Sequence, residues 1–375
     1  MEWLSIRALS FRNLAPDRVS FCPGINVIAG ANGQGKTNLL EAVVMVANLR
    51  SFQTRFLHKI VCHDEPGFRI TGEVSGRRGR MVLEHAVEIG PPVRRELYVN
   101  GRAAKPAEYL RLAPVEAISR DDRRLVAGSP QLRRAFLDRF AFFLEPDLFG
   151  LLRRYRHLLA QRNAGLRDGR ADGEIEVWER PLAAAAAGIV SRRLRATGVL
   201  AEDFGPIYRD LAGRDFPMVE LRYRSEPWLE PGDEAGLAKQ YEERYAVQRA
   251  RDCQAGFTLV GPHRHDLVFQ IAGRAVRDYL SAGQLKVLAA ALRLTGLRRM
   301  EALRGDTIPV LIDDIDAELD DHVLRRLVRM AGDGRQLFLT SAHAERVPRL
   351  ARAASWRWMT AGACLGEALG EKMDE

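Results

Sequence analysis

Cysteine is scarce and scattered in this sequence: Cys22, Cys62, Cys253 and Cys364 are its four, and no two form a C-x-x-C pair. That spacing excludes a zinc knuckle and offers no disulfide framework. Lysine is rarer than the charge suggests. Only six of the 57 basic residues are Lys, so arginine carries the net charge of +8. A guanidinium fork matches phosphate oxygens, which makes the excess compatible with a nucleic-acid partner; GC-rich coding produces the same bias whatever the function. Long apolar runs are also missing. The longest bland stretch, PLAAAAAGIV at 181–190, is too short to span a bilayer, so no membrane association is expected. The opening MEWLSIRALSFRNL has no basic segment followed by an uninterrupted apolar one, and the expected location is the cytoplasm. No heptad pattern persists, which excludes a long coiled coil, and there is no internal repeat or low-complexity tract. What is present is ordinary globular composition, 46% hydrophobic and 28% charged over 375 residues, enough for one large or two ordinary domains.

The strongest signal lies near the start. Residues 30–37 read GANGQGKT, a G-x-x-x-x-G-K-[ST] loop between an apolar strand, Ile25 to Ala29, and an apolar helix beginning TNLLEAVV. Gly30, Gly33 and Gly35 allow backbone angles and close approaches that a Cβ would block, so successive N–H groups, with those of Ala31, Asn32, Gln34 and Asn38, can face phosphates. Lys36 supplies a point charge to the β and γ phosphates of ATP, and the Thr37 hydroxyl is placed to ligate Mg²⁺. The helix N-terminus adds its own preference for anions.

The acidic partner such a loop needs is far down the chain. In TIPVLIDDIDAELDD, Ile308 to Ile312 forms an apolar strand too continuous to be half-exposed, so it belongs inside a parallel sheet. Its two terminal carboxylates divide the work: Asp313 holds the metal, and Asp314 orients the attacking water beside the catalytic Lys36. Upstream, DYLSAGQLKVLAAALRL places Ser281, Gly283 and Gln284 at the head of a helix, where Ser281 can also act as a plain cap. A Ser-x-Gly-Gln helix followed by a carboxylate-ended strand resembles the order found in ABC-type ATPases. There the Ser-Gly helix of one subunit faces the γ-phosphate held by another, which implies a site completed by dimerisation around ATP. AELD at 317–320 falls at that class's D-loop, with Ala in place of the usual Ser.

Between these halves the chain must leave the ATPase fold and return. Residues 68–102 read as sheet, with Asn100-Gly101 a hairpin signal. From about residue 119 the period becomes helical: Ser129-Pro130 opens one helix, and LLRRYRHLLAQRNAGL forms the next with Arg153, Arg154 and Arg156 off its apolar face. The expected fold is an α/β, ABC-type P-loop ATPase head with an inserted, mostly helical arm. Its boundaries are 1–118 for the N-terminal head, 119–250 for the arm and 251–375 for the C-terminal head. Arg153, Arg154 and Arg156 are the candidate DNA contacts, although a run of charge on a helix is ordinarily a solvated face. Arg133, Arg134, Arg139, Arg162, Arg192, Arg193 and Arg195 enlarge the arm's basic complement.

Taken together, FRNL at 11–14, GANGQGKTNLLEA at 30–42, RSF at 50–52, GSPQLRRAFLDR at 128–139, RYRHLLAQRNAGL at 154–166, TLVGPHRHDL at 258–267, LSAGQLK at 280–286 and PVLIDDIDAELD at 309–320 resemble the RecF family of bacterial DNA replication and repair proteins. The resemblance implies an SMC- and Rad50-like head with weak, DNA-stimulated ATPase activity. It also implies ATP-dependent homodimerisation, binding to duplex and gapped or single-stranded DNA, and recombinase loading with RecO and RecR. Two departures stand out. His265 occupies an acidic position of the family's GPHRDD, and Arg120 replaces the proline that usually follows Ser119. An HRHD cluster invites a metal-site reading, but strand alternation would split its ligands, and a hydrogen-bonded turn is expected instead. QLFLTSAH offers Ser341 or His343 as a γ-phosphate sensor. A competing reading makes the protein a nucleotide-gated DNA clamp whose hydrolysis only resets binding; comparing Asp314→Ala with Lys36→Ala in DNA binding separates the two.

Overall fold

The computed structural model describes residues 1–213, 216–315, 319–342, 354–360 and 362–369. The first stretch of chain forms strands β1 (Glu2–Leu9), β2 (Arg18–Ser20) and β3 (Ile25–Ala29), helix α1 (Lys36–Asn48), then β4 (Gly67–Gly76), β5 (Gly79–Glu88), β6 (Arg94–Val99) and β7 (Arg102–Ala103). Helix α2 (Pro106–Tyr109) and strand β8 (Glu116–Ile118) follow, then helices α3 (Arg123–Ala127), α4 (Pro130–Leu144), α5 (Leu148–Arg167) and α6 (Asp172–Ala212). Strand β9 (Glu220–Arg224), helix α7 (Glu234–Ala255), β10 (Asp266–Ile271), β11 (Arg274–Ala275) and helix α8 (Ala282–Arg304) come next. The last elements are β12 (Val310–Ile312), α9 (Asp321–Gly332), β13 (Leu337–Ser341), β14 (Ala354–Thr360) and β15 (Ala363–Leu369).

The chain divides into two compact units: residues 1–122, 207–214 and 282–375, and residues 123–206 and 215–281. The expected boundary at 119 lies close to the first change, but residues 251–281 join the second unit rather than returning to the head at 251. The cause is strand pairing: β10 pairs with β9 and β11, forming a sheet of its own within that unit.

Two sheets build the first unit. One runs β15-β14-β3-β13-β12-β8, parallel throughout except for the β14–β15 hairpin. Strands β12 and β13 are buried along their whole length, as unbroken apolar runs in a parallel sheet must be. The other sheet, β2-β1-β4-β5-β6-β7, is antiparallel, and β4 and β5 alternate buried with more exposed positions. Asn100 and Gly101 turn its β6–β7 hairpin with φ of 50° and 75°, the left-handed angles that an Asn-Gly hairpin requires. Helix α1 packs on β4 and β5 and on β13. From Leu39 to Asn48 every residue of α1 is buried, which explains why its sequence is apolar nearly all round rather than striped. Leu40, Val43, Val44 and Val46 share one core with Trp3, Phe11, Ile70 and Leu83.

The second unit is mainly helical and is pinned by buried ion pairs. Arg162 of α5 has no exposed surface; its guanidinium donates to Glu179 at 2.9 Å, Asp252 at 2.7 Å and the Thr258 hydroxyl at 2.8 Å. Arg133 donates both arms of its fork to Asp266 at 2.8 Å, and Arg193 binds Asp138 at 2.7 and 3.0 Å. Nearer the surface, Arg192 pairs with the exposed carboxylates of Asp147 and Glu234, and exposed Arg195 pairs with Glu145. These five arginines were counted in the arm's basic complement, and that expectation is corrected: they hold the unit's own carboxylates. Losing the partner of buried Arg133, Arg162 or Arg193 leaves an uncompensated charge, at a cost of about 3–5 kcal/mol. The HRHD segment is likewise a turn tied by hydrogen bonds. His263 meets the Tyr155 hydroxyl at 2.7 Å, while His265 meets Tyr223 at 2.6 Å and the Glu226 carboxylate. No metal-ligating cluster of His, Cys, Asp or Glu occurs among the described residues.

Candidate active site

The first unit assembles the site at the ends of its parallel strands. Strand β3 delivers the chain into the glycine loop, and α1 leaves it at Lys36. Gly30, Gly33 and Gly35 take φ of 146°, 82° and 103°, angles that side-chain-bearing residues rarely adopt. Gly30 answers a second demand as well: a Cβ there would lie 2.6 Å from the Met359 carbonyl oxygen at the end of β14. The loop is braced from outside by the Asn13 amide, which donates to the Gly33 carbonyl at 3.2 Å, and by the Gly362 N–H, which donates to Gln34 at 3.0 Å. Asn38 donates to Asn13 at 2.7 Å.

Lys36 is buried, and its ammonium donates to the Gly30 and Ala31 carbonyls at 2.6 and 2.9 Å. The loop thus holds its cation in place against its own carbonyls. One residue on, the Thr37 hydroxyl donates to the Asp313 carboxylate at 2.9 Å. Two segments 276 residues apart in sequence meet in that bond. Thr340, on β13, donates its own hydroxyl to the same Asp313 oxygen at 2.8 Å, and it accepts the Asp314 N–H at 2.7 Å. Asp314 has φ of 54°, a left-handed angle that Asp tolerates better than most residues and that turns the chain sharply off β12. Its carboxylate is 35% exposed, whereas Asp313 is buried.

Burial pushes the Asp313 carboxyl above the usual carboxylate range. The Thr340 and Thr37 hydroxyls pull it back, Asp314 pushes it further up, and Lys36 pulls it down. A divalent cation beside Asp313 would hold it ionised. Thr37 and Asp313 present hard oxygen donors, the set that suits Mg²⁺, while Lys36 and the loop N–H groups suit polyphosphate. The donors therefore fit a metal-bound nucleoside triphosphate.

Thr340 and Asn13 were not singled out from sequence. Thr340 immediately precedes Ser341, the sensor candidate; Ser341 is buried at the end of β13, level with Ala29 of β3. His343, Ala317 and Glu318 lie outside the described residues. Ser281 directly precedes α8, whose first turn carries Gly283 and Gln284, so these three stand at a helix N-terminus with outward-facing N–H groups. Arg153, Arg154 and Arg156 are exposed on α5 and form no ion pair with any described residue.

A strand, a glycine loop and a helix beside a carboxylate-ended parallel strand define a P-loop ATPase, and the added antiparallel sheet makes it ABC-type. The family model described as RecF/RecN/SMC N terminal domain matches residues 4–357. The chain belongs to the RecF family. It is 35% identical over 343 residues to the DNA replication and repair protein RecF of Anaeromyxobacter sp. (strain Fw109-5), covering 91% of this chain and 92% of that protein. The RecF of Acidothermus cellulolyticus is 36% identical, with 88% and 91% covered. A solved structure of the recombination mediator protein RecF with ATP in the RecFOR pathway superposes with a TM-score of 0.85 at 25% identity, covering 98% of this chain and 99% of that one. The fold extends to an Smc head bound to the C-winged helix domain of ScpA, with a TM-score of 0.53 at 15% identity and 98% and 97% covered. No helix among the described residues is long and apolar enough to cross a membrane.

Proposed function

We propose that this chain is a weak, DNA-stimulated ATPase of recombinational repair and replication-fork maintenance in the cytoplasm. It dimerises on ATP at single-strand gaps in DNA and helps RecO and RecR load recombinase. The observation that carries the reading is the Thr37–Asp313–Thr340–Asp314 cluster, which joins the phosphate loop to the acidic strand end. Lys36 and the loop N–H groups bind the triphosphate. Thr37 and Asp313 would hold Mg²⁺, which would neutralise charge on the β and γ phosphates. Asp314 accepts a hydrogen bond from the attacking water and aims it along the line of displacement. Ser281, Gly283 and Gln284 serve the partner subunit, presenting the N-terminus of α8 to its γ-phosphate.

Hydrolysis and ATP binding by Lys36→Ala and Asp314→Ala test this. Lys36→Ala is expected to lose ATP binding and about 10²- to 10³-fold in kcat, the scale of one removed electrostatic stabiliser. Asp314→Ala is expected to keep ATP and lose turnover. Undiminished hydrolysis by Lys36→Ala would contradict the assignment.

A further inference from the structure

Arg120 lies beside the water-orienting carboxylate, and no part of the reaction as described uses it. Its place follows from sheet register. Strands β8 and β12 are parallel neighbours with Ile118 level with Ile312, and the Asp313 N–H extends the ladder by donating to the Ile118 carbonyl at 2.9 Å. Two residues beyond the last pair, Arg120 and Asp314 emerge side by side. The Arg120 Nη1 is 3.9 Å from the Asp314 Oδ2, with the two side chains 67% and 35% exposed.

The turn that carries Arg120 is fixed, although the side chain is exposed. Asp122 accepts the Ser119 N–H at 3.1 Å and the Ser119 hydroxyl at 3.0 Å, and both of its oxygens accept from Arg293 at 2.6 and 2.9 Å. The same Arg293 reaches back to Glu116 of β8 at 2.7 Å. The Asp314 main chain is held through its N–H bond to Thr340. The placing of the two residues side by side is therefore a property of the fold, while the distance between their charges is set by the exposed arginine side chain.

We propose that Arg120 is a positioning residue that engages the Asp314 carboxylate in competition with the attacking water, and so sets a slow basal rate of hydrolysis. At 3.9 Å the pair is an ion pair without a hydrogen bond, and a guanidinium only donates, so a closer approach by the exposed Arg120 side chain would engage the lone pairs that the water must use. The ion pair is exposed and extended, which makes it weak and sensitive to salt; it modulates the carboxylate without disabling it. Nucleotide binding, which rests on Lys36 and the glycine loop, is untouched.

This inference rests on Asp314 orienting the water, and the test separates the two claims. Steady-state hydrolysis is measured for wild type, Arg120→Ala, Arg120→Gln, Arg120→Lys and Asp314→Ala. Loss of turnover in Asp314→Ala upholds the role of Asp314; wild-type turnover in that variant refutes the role and the inference together. With Asp314 upheld, Arg120→Ala and Arg120→Gln are expected to raise kcat about two- to fivefold at unchanged KM for ATP, the span an exposed ion pair carries. Arg120→Lys, which keeps the cation, is expected to stay near the wild-type rate. The ratio of the Arg120→Ala rate to the wild-type rate should fall towards one as salt is raised. An unchanged or lowered kcat in both neutral variants would overturn the inference and leave the site assignment standing.

Discussion

His85 has no exposed surface on β5, and one ring nitrogen, Nδ1, lies 3.1 Å from the Met45 carbonyl of α1. Its Nε2 finds no hydrogen-bond partner among the described residues. Burial lowers this imidazole from 6.5 to about 4, opposed by the Met45 carbonyl and assisted by the charge of Arg95. As pH falls from 6.5 towards 4 the unfolded chain takes up a proton that the folded His85 refuses, so this residue's contribution to stability is lost across that window and falls no further below it. The contribution of this one residue is about 3 kcal/mol. His85→Leu is expected to flatten the loss in unfolding free energy between about pH 7.5 and about pH 4.5 by that amount, read by urea titration. An unchanged pH slope would show that the imidazole is not buried in its neutral form. His263, also lowered to about 4 by burial, keeps its own share of the slope in that variant. Little of this could be read from sequence, because period-2 alternation places His85 on a face without revealing what lies above it. The same limit applies to Thr340: a hydroxyl one residue from the named candidate Ser341 meets Asp313 across a strand pairing that no local pattern encodes.

At the scale of elements, local chemistry was a good guide wherever the signal was contained in one segment. Strand β3 spans Ile25–Ala29 as read, and the glycines of the loop take the left-handed angles for which they were singled out. Ser129 and Pro130 do open α4, although the serine side chain makes no capping bond. Arginine-rich helices were less legible. Composition cannot distinguish a guanidinium committed to a buried carboxylate from one presented to solvent, and α5 carries both kinds: Arg162 is buried in a network, while Arg153, Arg154 and Arg156 are exposed. The exposed three are the arm's candidates for phosphate contact. Replacing all three by alanine is expected to weaken DNA binding alike for all sequences and to reduce the slope of log K against log salt by roughly 2–3, about 0.9 per lost phosphate contact. A slope equal to that of wild type would remove α5 from the DNA surface and leave its arginines as a solvated face.

For the whole molecule, what matters is which parts of the sequence share a unit. The head's two halves were recognisable because the glycine loop and the carboxylate-ended strand each carry a motif, and each calls for the other chemically. The return point was misread: residues 258–271 have strand character, but periodicity does not name a strand's partner, and β10 pairs inside the second unit. Ser281 closes that unit and Ala282 opens α8 in the first. If this helix N-terminus serves a second copy, Ser281→Arg should abolish ATP-dependent dimerisation while ATP affinity stays close to that of wild type. The central claim, a composite site closed by two chains around ATP, is tested most directly by sedimentation velocity of wild type and Asp314→Ala, with and without Mg-ATP. The account expects a monomer that becomes a dimer only with nucleotide, and a dimer that persists in the variant because its ATP is not consumed. A wild-type protein that hydrolyses ATP while sedimenting as a monomer at every concentration would contradict it.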